Sequence, residues 1–269
     1  MSENTEDAVY VASALERYAD EYKQNVDAPY FLRTRKVVID YLLAQLRPNS
    51  RVLDMNCGTG VDIVEIAKQG HWVQGYDVSS AMISYARENI SNSGLSHVAE
   101  AEVCDYRRLP AIHPRFDAIL SNFGGINFAG NLEQVFLSVD RNLKEGGIFI
   151  INSVSHFCLA ESIIFLTSGN FGKAFRRLAG GNARIGGKWV KLFYHRKKSF
   201  LNIAKKFGFY FSDIFGLNII APPLWADDFF TRHKKFASAL ERIDGKFRGF
   251  PLLRTMGDFT VLVFKKGRL

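Results

Sequence analysis

A glycine turn between a strand pattern and a helix pattern constrains the fold of this chain more than any other feature. The apolar run at residues 52–53 ends at Asp54, and Gly58 and Gly60 follow before a helical pattern begins. In an α/β sheet this order presents backbone N–H groups and a helix N-terminus to a ligand. Glycine also lets the main chain approach a ligand closely and adopt a positive φ. The turn therefore predicts a nucleoside-type cofactor at the carboxyl end of the first strand.

The spacing of the glycines argues against a dinucleotide. The dinucleotide fingerprint G-x-G-x-x-G needs a third glycine for close helix–strand packing, and Ile63 occupies that position here. The sequence contains no phosphate-binding G-x-x-x-x-G-K-[ST] loop either. Asp54, just before the turn, would repel a diphosphate and attract an ammonium group.

Acidic residues end three consecutive strand patterns. Asp77 follows the second pattern, and Asp105 follows the third. An acid at the tip of the second strand suits the two hydroxyls of a ribose, and Asp105 is placed to reach an adenine amino group. With Asp54, these acids predict a ligand that joins adenosine to an amino-acid moiety without a phosphate.

Four motifs, in this order, resemble those of the class I S-adenosylmethionine-dependent methyltransferases. They lie at residues 52–60 (the Asp-x-x-Cys-Gly-Thr-Gly form of the first motif), 75–82, 116–122 and 143–147. The resemblance implies a doubly wound, mostly parallel, seven-stranded α/β sheet whose last strand is antiparallel. It also implies S-adenosyl-L-methionine as the cofactor; a related fold that binds another nucleoside is the alternative.

The resemblance also implies which residues contact the cofactor. Asp54 and the glycine turn would hold the methionine part, Asp77 the ribose, and Asp105 the adenine. Arg33 is a candidate partner of the cofactor carboxylate, with a surface position as the alternative. The full set of candidates is Tyr22, Arg33, Asp54, Cys57, Gly58, Thr59, Gly60, Asp77, Val78, Met82, Cys104, Asp105, Tyr106, Asn122 and Phe123.

Three residues are candidates for the chemical step. His156 follows the fifth strand pattern and His195 lies beside a later one, so these histidines are the best-placed general bases. A surface or packing role is the alternative for each. Asn127 ends a segment that leaves the fourth strand facing the methyl group. This segment has no proline, unlike the Asn-Pro-Pro-Tyr of amino-methylating nucleic-acid enzymes, so no DNA partner is expected. No spacing of His, Asp or Glu indicates a metal.

The 269 residues predict one domain with four parts. These are an N-terminal helical cap (1–47), a cofactor-binding core (48–155), a basic lid insertion (156–206), and C-terminal strands with a helix that complete the sheet (207–269). No apolar run is long enough for a membrane span, and the N-terminus is acidic and polar, unlike a signal peptide. With three cysteines in no regular spacing, a cytoplasmic protein is expected.

Positive charge is concentrated in the insertion. Residues 162–212 contain eleven Lys and Arg and no Asp or Glu, whereas the whole chain has a net charge of +8. A solvated basic face is one interpretation. The other is a docking surface for an anionic substrate, an acidic carrier protein, lipid headgroups or RNA.

Together these features predict an enzyme that transfers a methyl group from S-adenosylmethionine by in-line displacement. The acceptor would be an oxygen or nitrogen of a small organic molecule (aromatic, acyl or anionic), bound between the N-terminal helices and the insertion. An RNA methyltransferase that uses the basic insertion, a membrane-surface contact and a non-catalytic binding module of the same fold stay as alternatives. The sequence leaves monomer and homodimer open.

Overall fold

The structure is a computed structural model that describes residues 3–26, 28–226 and 232–267. Its strands are β1 (Arg51–Asp54), β2 (Trp72–Asp77), β3 (Ala99–Val103), β4 (Phe116–Ser121), β5 (Leu143–Val154), β6 (Gly181–Ile185), β7 (Lys188–Leu192), β8 (Phe209–Leu217) and β9 (Phe259–Lys266). Its helices are α1 (Glu3–Val26), α2 (Pro29–Leu43), α3 (Val61–Ala67), α4 (Ser80–Asn92), α5 (Leu132–Asn142), α6 (Leu159–Thr167), α7 (Phe171–Ala174), α8 (Lys197–Lys206) and α9 (Lys234–Phe247).

Seven strands form one sheet in the order β3-β2-β1-β4-β5-β9-β8. Strands β1 to β5 pair in parallel, and β9 is antiparallel to both β5 and β8. This arrangement confirms the predicted doubly wound sheet with an antiparallel last strand. The strand order reverses between β1 and β4, which is where open α/β sheets leave a crevice at their carboxyl ends.

A hydrophobic core lies on each face of the sheet because neighbouring residues of a strand point to opposite faces. Val52 packs in the cluster that includes Ile39 of α2, whereas Leu53 packs in the cluster that includes Phe136 of α5. With both faces covered, the parallel strands carry continuous apolar runs rather than an alternating pattern.

Helix α8 belongs to the layer on the sheet and not to the insertion. Its residues Phe200 and Ala204 are buried in the same cluster as Phe136. Its apolar residues are spaced by four, which puts them on one face of the helix. The basic insertion therefore ends before Lys197 rather than at residue 206.

The part of the insertion that approaches the N-terminal helix is a two-stranded antiparallel hairpin, β6–β7. At its turn, Gly186 (φ +53°) lies so close to α1 that an added Cβ would be 2.2 Å from the carbonyl oxygen of Ala14. Lys188 Nζ donates a hydrogen bond to Ser13 Oγ beside this contact. The hairpin thus rests directly on α1. In the described part of the chain, no helix combines the length and the apolar character needed to cross a bilayer.

Candidate active site

A cavity of about 320 Å³ opens at the carboxyl ends of the first four strands, beside α1 and the β6–β7 hairpin. The sheet side supplies predicted cofactor residues, among them Gly58, Asp77, Val78, Met82 and Asp105. Helix α1 and the hairpin supply Val11, Leu15, Tyr18, Arg184, Ile185 and Leu192. One cavity therefore joins the acidic strand ends to a largely apolar surface.

The glycine turn is tied to both neighbouring strands. The Met55 N–H donates to the Leu120 carbonyl (2.9 Å) in β4, and the Cys57 N–H donates to the Tyr76 carbonyl (2.8 Å) in β2. These bonds place Gly58 (φ +53°) on the cavity wall, where an added Cβ would lie 3.4 Å from the ring of Tyr22. The turn thus exposes backbone rather than side chain to a ligand.

Asp77, an acid of the cavity wall, is held in place by backbone hydrogen bonds to both of its carboxylate oxygens. Its Oδ2 accepts the Gly58 N–H (3.1 Å) and its Oδ1 accepts the Ser79 N–H (3.0 Å). Its side chain is buried at the tip of β2, and this burial raises the pKa of Asp77 to about 6. The carboxylate is therefore oriented before any ligand binds.

The raised pKa predicts that S-adenosylmethionine affinity falls at acidic pH. Only the ionised carboxylate offers full acceptor strength to ribose hydroxyls, and Asp77 takes up a proton as the pH falls through about 6. If the ionised form alone binds well, the dissociation constant at pH 5 is about tenfold larger than at pH 8. Calorimetric titrations between pH 5 and 8 measure this change, and an affinity that is constant over this range would contradict it.

Asp54 lies below the turn and is completely buried. Its Oδ1 accepts a long hydrogen bond from the Asn56 N–H (3.4 Å), and its Oδ2 has no hydrogen-bond partner in the structure. Burial, together with the nearby charge of Asp62, raises the pKa of Asp54 well above its ordinary value. Asp54 does not line the cavity, but its unused carboxylate oxygen beneath the turn suits a positive charge above it, such as the ammonium of an amino-acid moiety.

A buried ion pair, which sequence reasoning missed, supports this end of the cavity. Arg35 contacts Asp62 Oδ1 (2.5 Å), and its second nitrogen donates to the Tyr22 hydroxyl (3.3 Å). Asp62 Oδ2 accepts a hydrogen bond from the Asn122 side chain (2.9 Å). The guanidinium of Arg35 also lies 4.4 Å from the ring centre of Phe123. The sequence feature that could have indicated this ion pair is Asp62, an acid in the first turn of the helix that follows the glycine turn.

The structure corrects the prediction for Arg33. Its Nε pairs with Glu241 of α9 at 2.8 Å, and its half-exposed side chain does not line the cavity. Residues two apart on a helix differ by about 200° in direction. Arg33 and Arg35 therefore face nearly opposite sides of α2, and it is Arg35 that points into the molecule.

Asn127 is buried, and its side chain is hydrogen-bonded to backbone groups and to Ser153. Its Nδ2 donates to the carbonyls of Phe193 (2.8 Å) and Val154 (3.3 Å), and its Oδ1 accepts the Val154 N–H (2.9 Å). Asn127 does not line the cavity. Its position corrects the predicted catalytic role: this residue joins the loop after β4 to β5 and to the end of the hairpin.

The two histidines also lie away from the large cavity. His195 Nε2 is 2.7 Å from the Ala129 carbonyl, and its ring stacks on Phe193. His156 and His195 line a separate, much smaller cavity near Phe200. Burial lowers the pKa of both, and Arg196 lowers that of His156 further. The structure thus places neither predicted base in the large cavity, and it gives His195 the packing role raised as the alternative from the sequence.

Besides Arg33, five predicted cofactor residues lie behind the cavity wall and do not line it. They are Asp54, Cys57, Thr59, Gly60 and Cys104. An added Cβ on Gly60 (φ +80°) would lie 2.9 Å from the Cα of Ala86, so this glycine permits close packing of the turn on α4. The Thr59 carbonyl accepts a hydrogen bond from Asn89 (2.8 Å) on the same helix.

At the third strand end, Asp105 is held by its own neighbour. Arg107 forms a bidentate pair with the Asp105 carboxylate, with distances of 2.9 Å to Oδ1 and 2.8 Å to Oδ2. Both residues line the cavity, and the Tyr106 hydroxyl between them donates to the Gly125 carbonyl (2.8 Å). If Asp105 accepted a hydrogen bond from an adenine, the carboxylate oxygen involved would also accept one from Arg107.

The loop after β4 brings an aromatic ring to the centre of the cavity wall. Phe123 has φ +48°, an uncommon conformation for a residue that is not glycine. Phe31 stacks on its ring (5.7 Å between centroids), and Phe259 packs against the same ring in an edge-on arrangement (5.6 Å between centroids). Such backbone conformations persist when the surroundings hold them, and they occur often at ligand sites.

The cations of the insertion are not all available for docking. Arg177, only 5% exposed, pairs with Glu161 (2.8 Å) and with Asp258 (2.7 Å), and Arg176 pairs with the same Glu161 (2.9 Å). Asp258 also accepts the N–H of Leu224, a residue of the cavity wall. Through Asp258, Arg177 therefore supports the cavity wall at Leu224, and it is not part of a basic surface.

Comparison with known proteins identifies the family. Residues 46–185 match the model of the methyltransferase domain family, and the chain belongs to this family. The methyltransferase family is the one that the sequence motifs predicted.

Two relatives and one solved structure show the extent of the similarity. The chain is 31% identical to YqeM of Bacillus subtilis over 137 residues, which cover 50% of this chain and 52% of YqeM. It is 30% identical to the protein MJ1252 of Methanocaldococcus jannaschii over 233 residues, 83% of this chain and 87% of that protein. The chain thus spans about half of the first relative and most of the second.

The solved structure is geranyl diphosphate C-methyltransferase from Streptomyces coelicolor, in complex with Mg²⁺, geranyl diphosphate and S-adenosyl-L-homocysteine. The two chains share 14% identity with a TM-score of 0.57, over 88% of this chain and 80% of that one. At this identity the likeness concerns the fold.

Proposed function

We propose that this protein transfers a methyl group from S-adenosylmethionine to an oxygen or nitrogen of a small organic acceptor bound in the large cavity. The observation that carries the proposal is the continuity of this cavity. It joins the strand-end acids Asp77 and Asp105 to the apolar side chains of α1 and the hairpin.

The chain's residues fit each part of the cofactor. Asp77 would accept both ribose hydroxyls, the Gly58 backbone would lie against the amino-acid moiety, and Met82 would pack near the adenine. Asp54, buried and with an unused oxygen, favours the positively charged group of that moiety. When bound, S-adenosylmethionine supplies an electrophilic methyl group.

The apolar half of the cavity is suited to the rest of the reaction. Leu15, Phe128 and Leu192 line it and would exclude water from the acceptor. Since a sulfonium is already a strong electrophile, alignment and desolvation of the acceptor account for much of the catalysis.

The largely apolar lining of the cavity favours a small organic acceptor over RNA. Two of the eleven Lys and Arg at residues 162–212, Arg176 and Arg177, are paired with Glu161 and add little to an electrostatic footprint. RNA affinity that falls steeply with salt would support the RNA alternative. Turnover with any acceptor would exclude the non-catalytic module.

The first test is calorimetric titration with S-adenosylmethionine, followed by a search for S-adenosylhomocysteine formation with small acceptors. Saturable binding with turnover supports the proposal. A protein that binds no S-adenosylmethionine would refute the proposal. Cofactor binding with turnover on RNA alone would show that the acceptor is RNA rather than a small molecule.

A glycine pair in the hairpin tests whether the hairpin covers the acceptor. Gly186→Ala would force the hairpin away from α1, because the new Cβ meets backbone at 2.2 Å. We expect methylation to fall about tenfold or more, while the S-adenosylmethionine dissociation constant changes less than about twofold. Gly187→Ala is the matched control, since Gly187 also has a positive φ (+78°) but no atom within 4 Å of the added Cβ. Equal methylation rates for the two variants would show that the hairpin does not form part of the acceptor site.

A further inference from the structure

The polar groups on the α1 and hairpin side of the cavity are hydrogen-bond donors. Tyr18 of α1 and Arg184 of β6 both line the cavity. In the described part of the chain, no carboxylate pairs with Arg184, and no hydrogen-bond partner is recorded for the Tyr18 hydroxyl. Burial raises the pKa of Tyr18 to about 12, so its hydroxyl keeps its proton and donates.

The other polar groups of the lining are already engaged. The Tyr22 hydroxyl accepts from Arg35, the Tyr106 hydroxyl donates to Gly125, and the Asn56 side chain bonds to Ser121 and Asn122. Tyr18 and Arg184 are thus left to meet the polar part of an acceptor.

Within residues 3–26, 28–226 and 232–267, the α1 and hairpin side of the cavity carries no general base. Among the described residues that line it there is no histidine, and the carboxylates are Asp77 and Asp105. Asp77 accepts two backbone N–H groups at the tip of β2, and Asp105 is paired with Arg107. Both lie at the strand ends assigned to the cofactor.

These observations decide between classes of acceptor. An alcohol, a phenol or a protonated amine must lose a proton to become a methylated product, and a positioned base assists that loss. A carboxylate is already ionised at neutral pH. It also matches a guanidinium and a hydroxyl donor, since guanidinium–carboxylate hydrogen bonds are strong and directional.

We propose that the acceptor is the carboxylate of a small, largely apolar organic acid, bound by Arg184 and Tyr18, and that the product is its methyl ester. This inference rests on the proposed function. A carboxylate oxygen forms the new O–CH₃ bond with its lone pair, and the S–CH₃ bond breaks with its electron pair remaining on sulfur. No proton is released. The neutral ester no longer pairs with Arg184, which favours its departure.

Binding of octanoate to the protein saturated with S-adenosylhomocysteine tests the recognition step without turnover. We expect Arg184→Met to weaken octanoate binding about two- to fivefold, because a charge pair is lost and Arg184 is an exposed residue of β6. Binding of 1-octanol should stay unchanged. Lys191→Met is the matched control, because Lys191 is an exposed cation of the same hairpin that does not line the cavity.

Proton release tests the chemistry. With a panel of apolar carboxylic acids, S-adenosylhomocysteine should form with no proton released per turnover, as measured by a pH indicator in weak buffer. Octanoate that binds the wild type and Arg184→Met equally, or does not bind at all, would overturn the inference. So would turnover on the matched alcohols or amines alone, with one proton released. In that last case the proposed methyl transfer stands; failure to bind S-adenosylmethionine would instead refute the proposed function.

Discussion

Asp77→Ala should weaken S-adenosylmethionine binding by at least about 100-fold. The buried carboxylate would accept two ribose hydroxyls, and each hydrogen bond to a charged group contributes about 1.5–3 kcal/mol. Two such bonds correspond to a factor of about 100 or more in the dissociation constant. The variant also releases the Gly58 and Ser79 N–H groups that Asp77 now holds. Calorimetric titration with S-adenosylmethionine measures the effect.

Two control variants separate binding from folding. Asp40→Ala removes an exposed aspartate of α2 that pairs with Lys36, and its cofactor affinity should match the wild type. Asp77→Asn keeps the shape of the side chain and can still accept hydrogen bonds, so it should lose less affinity than Asp77→Ala. An Asp77→Ala protein that is folded, as judged by circular dichroism, and binds S-adenosylmethionine normally would contradict the assigned ribose site.

Arg177→Met should lower the free energy of unfolding by about 3–5 kcal/mol, the usual cost of removing one partner from a buried ion pair. The substitution leaves Glu161 and Asp258 buried without their shared cation. It also removes the hydrogen bond from Arg177 to the Asp258 carbonyl (3.0 Å). Urea denaturation followed by fluorescence gives the change.

Arg176→Met is the matched control for this prediction. Arg176 pairs with the same Glu161, but about half of its side chain is exposed, so we expect a loss below about 1 kcal/mol. Similar losses of unfolding free energy for the two variants would show that the burial of Arg177 does not determine its contribution to stability.

The same ion pairs predict how stability changes with pH. Although burial alone would raise it, the hydrogen bonds from Arg176 and Arg177 hold the pKa of Glu161 at about 2, below its ordinary value of 4.5. This contribution to stability is present above about pH 4.5 and is lost as the pH falls toward 2.

The sheet and the cofactor side of the cavity could be predicted because their signals are local. The strand pattern at residues 52–53, the turn at Gly58 and the acid at Asp77 each have a fixed relation to the carboxyl edge of a parallel sheet. Those relations depend on backbone geometry that every sheet of this kind shares. The C-terminal strands predicted within residues 207–269 were also confirmed, as β8 and β9.

The acceptor side could not be predicted, since its residues meet only through tertiary packing. To choose Arg35 rather than Arg33 required the rotation of α2 about its axis, which the sequence pattern does not fix. His195 and Asn127 have side chains suited to catalysis, but their hydrogen bonds go to backbone groups distant in the sequence. Nor did the basic character of residues 197–206 reveal that the opposite face of α8 is buried on the sheet.

Helix α1 touches both ends of the cavity. Tyr22 lies against Gly58 at the cofactor end, and four residues earlier Tyr18 adjoins the turn of the hairpin at Gly186. A shift of this single helix would therefore change the ends of the cavity proposed for the donor and for the acceptor at once. Binding at one end would be felt at the other through α1 alone.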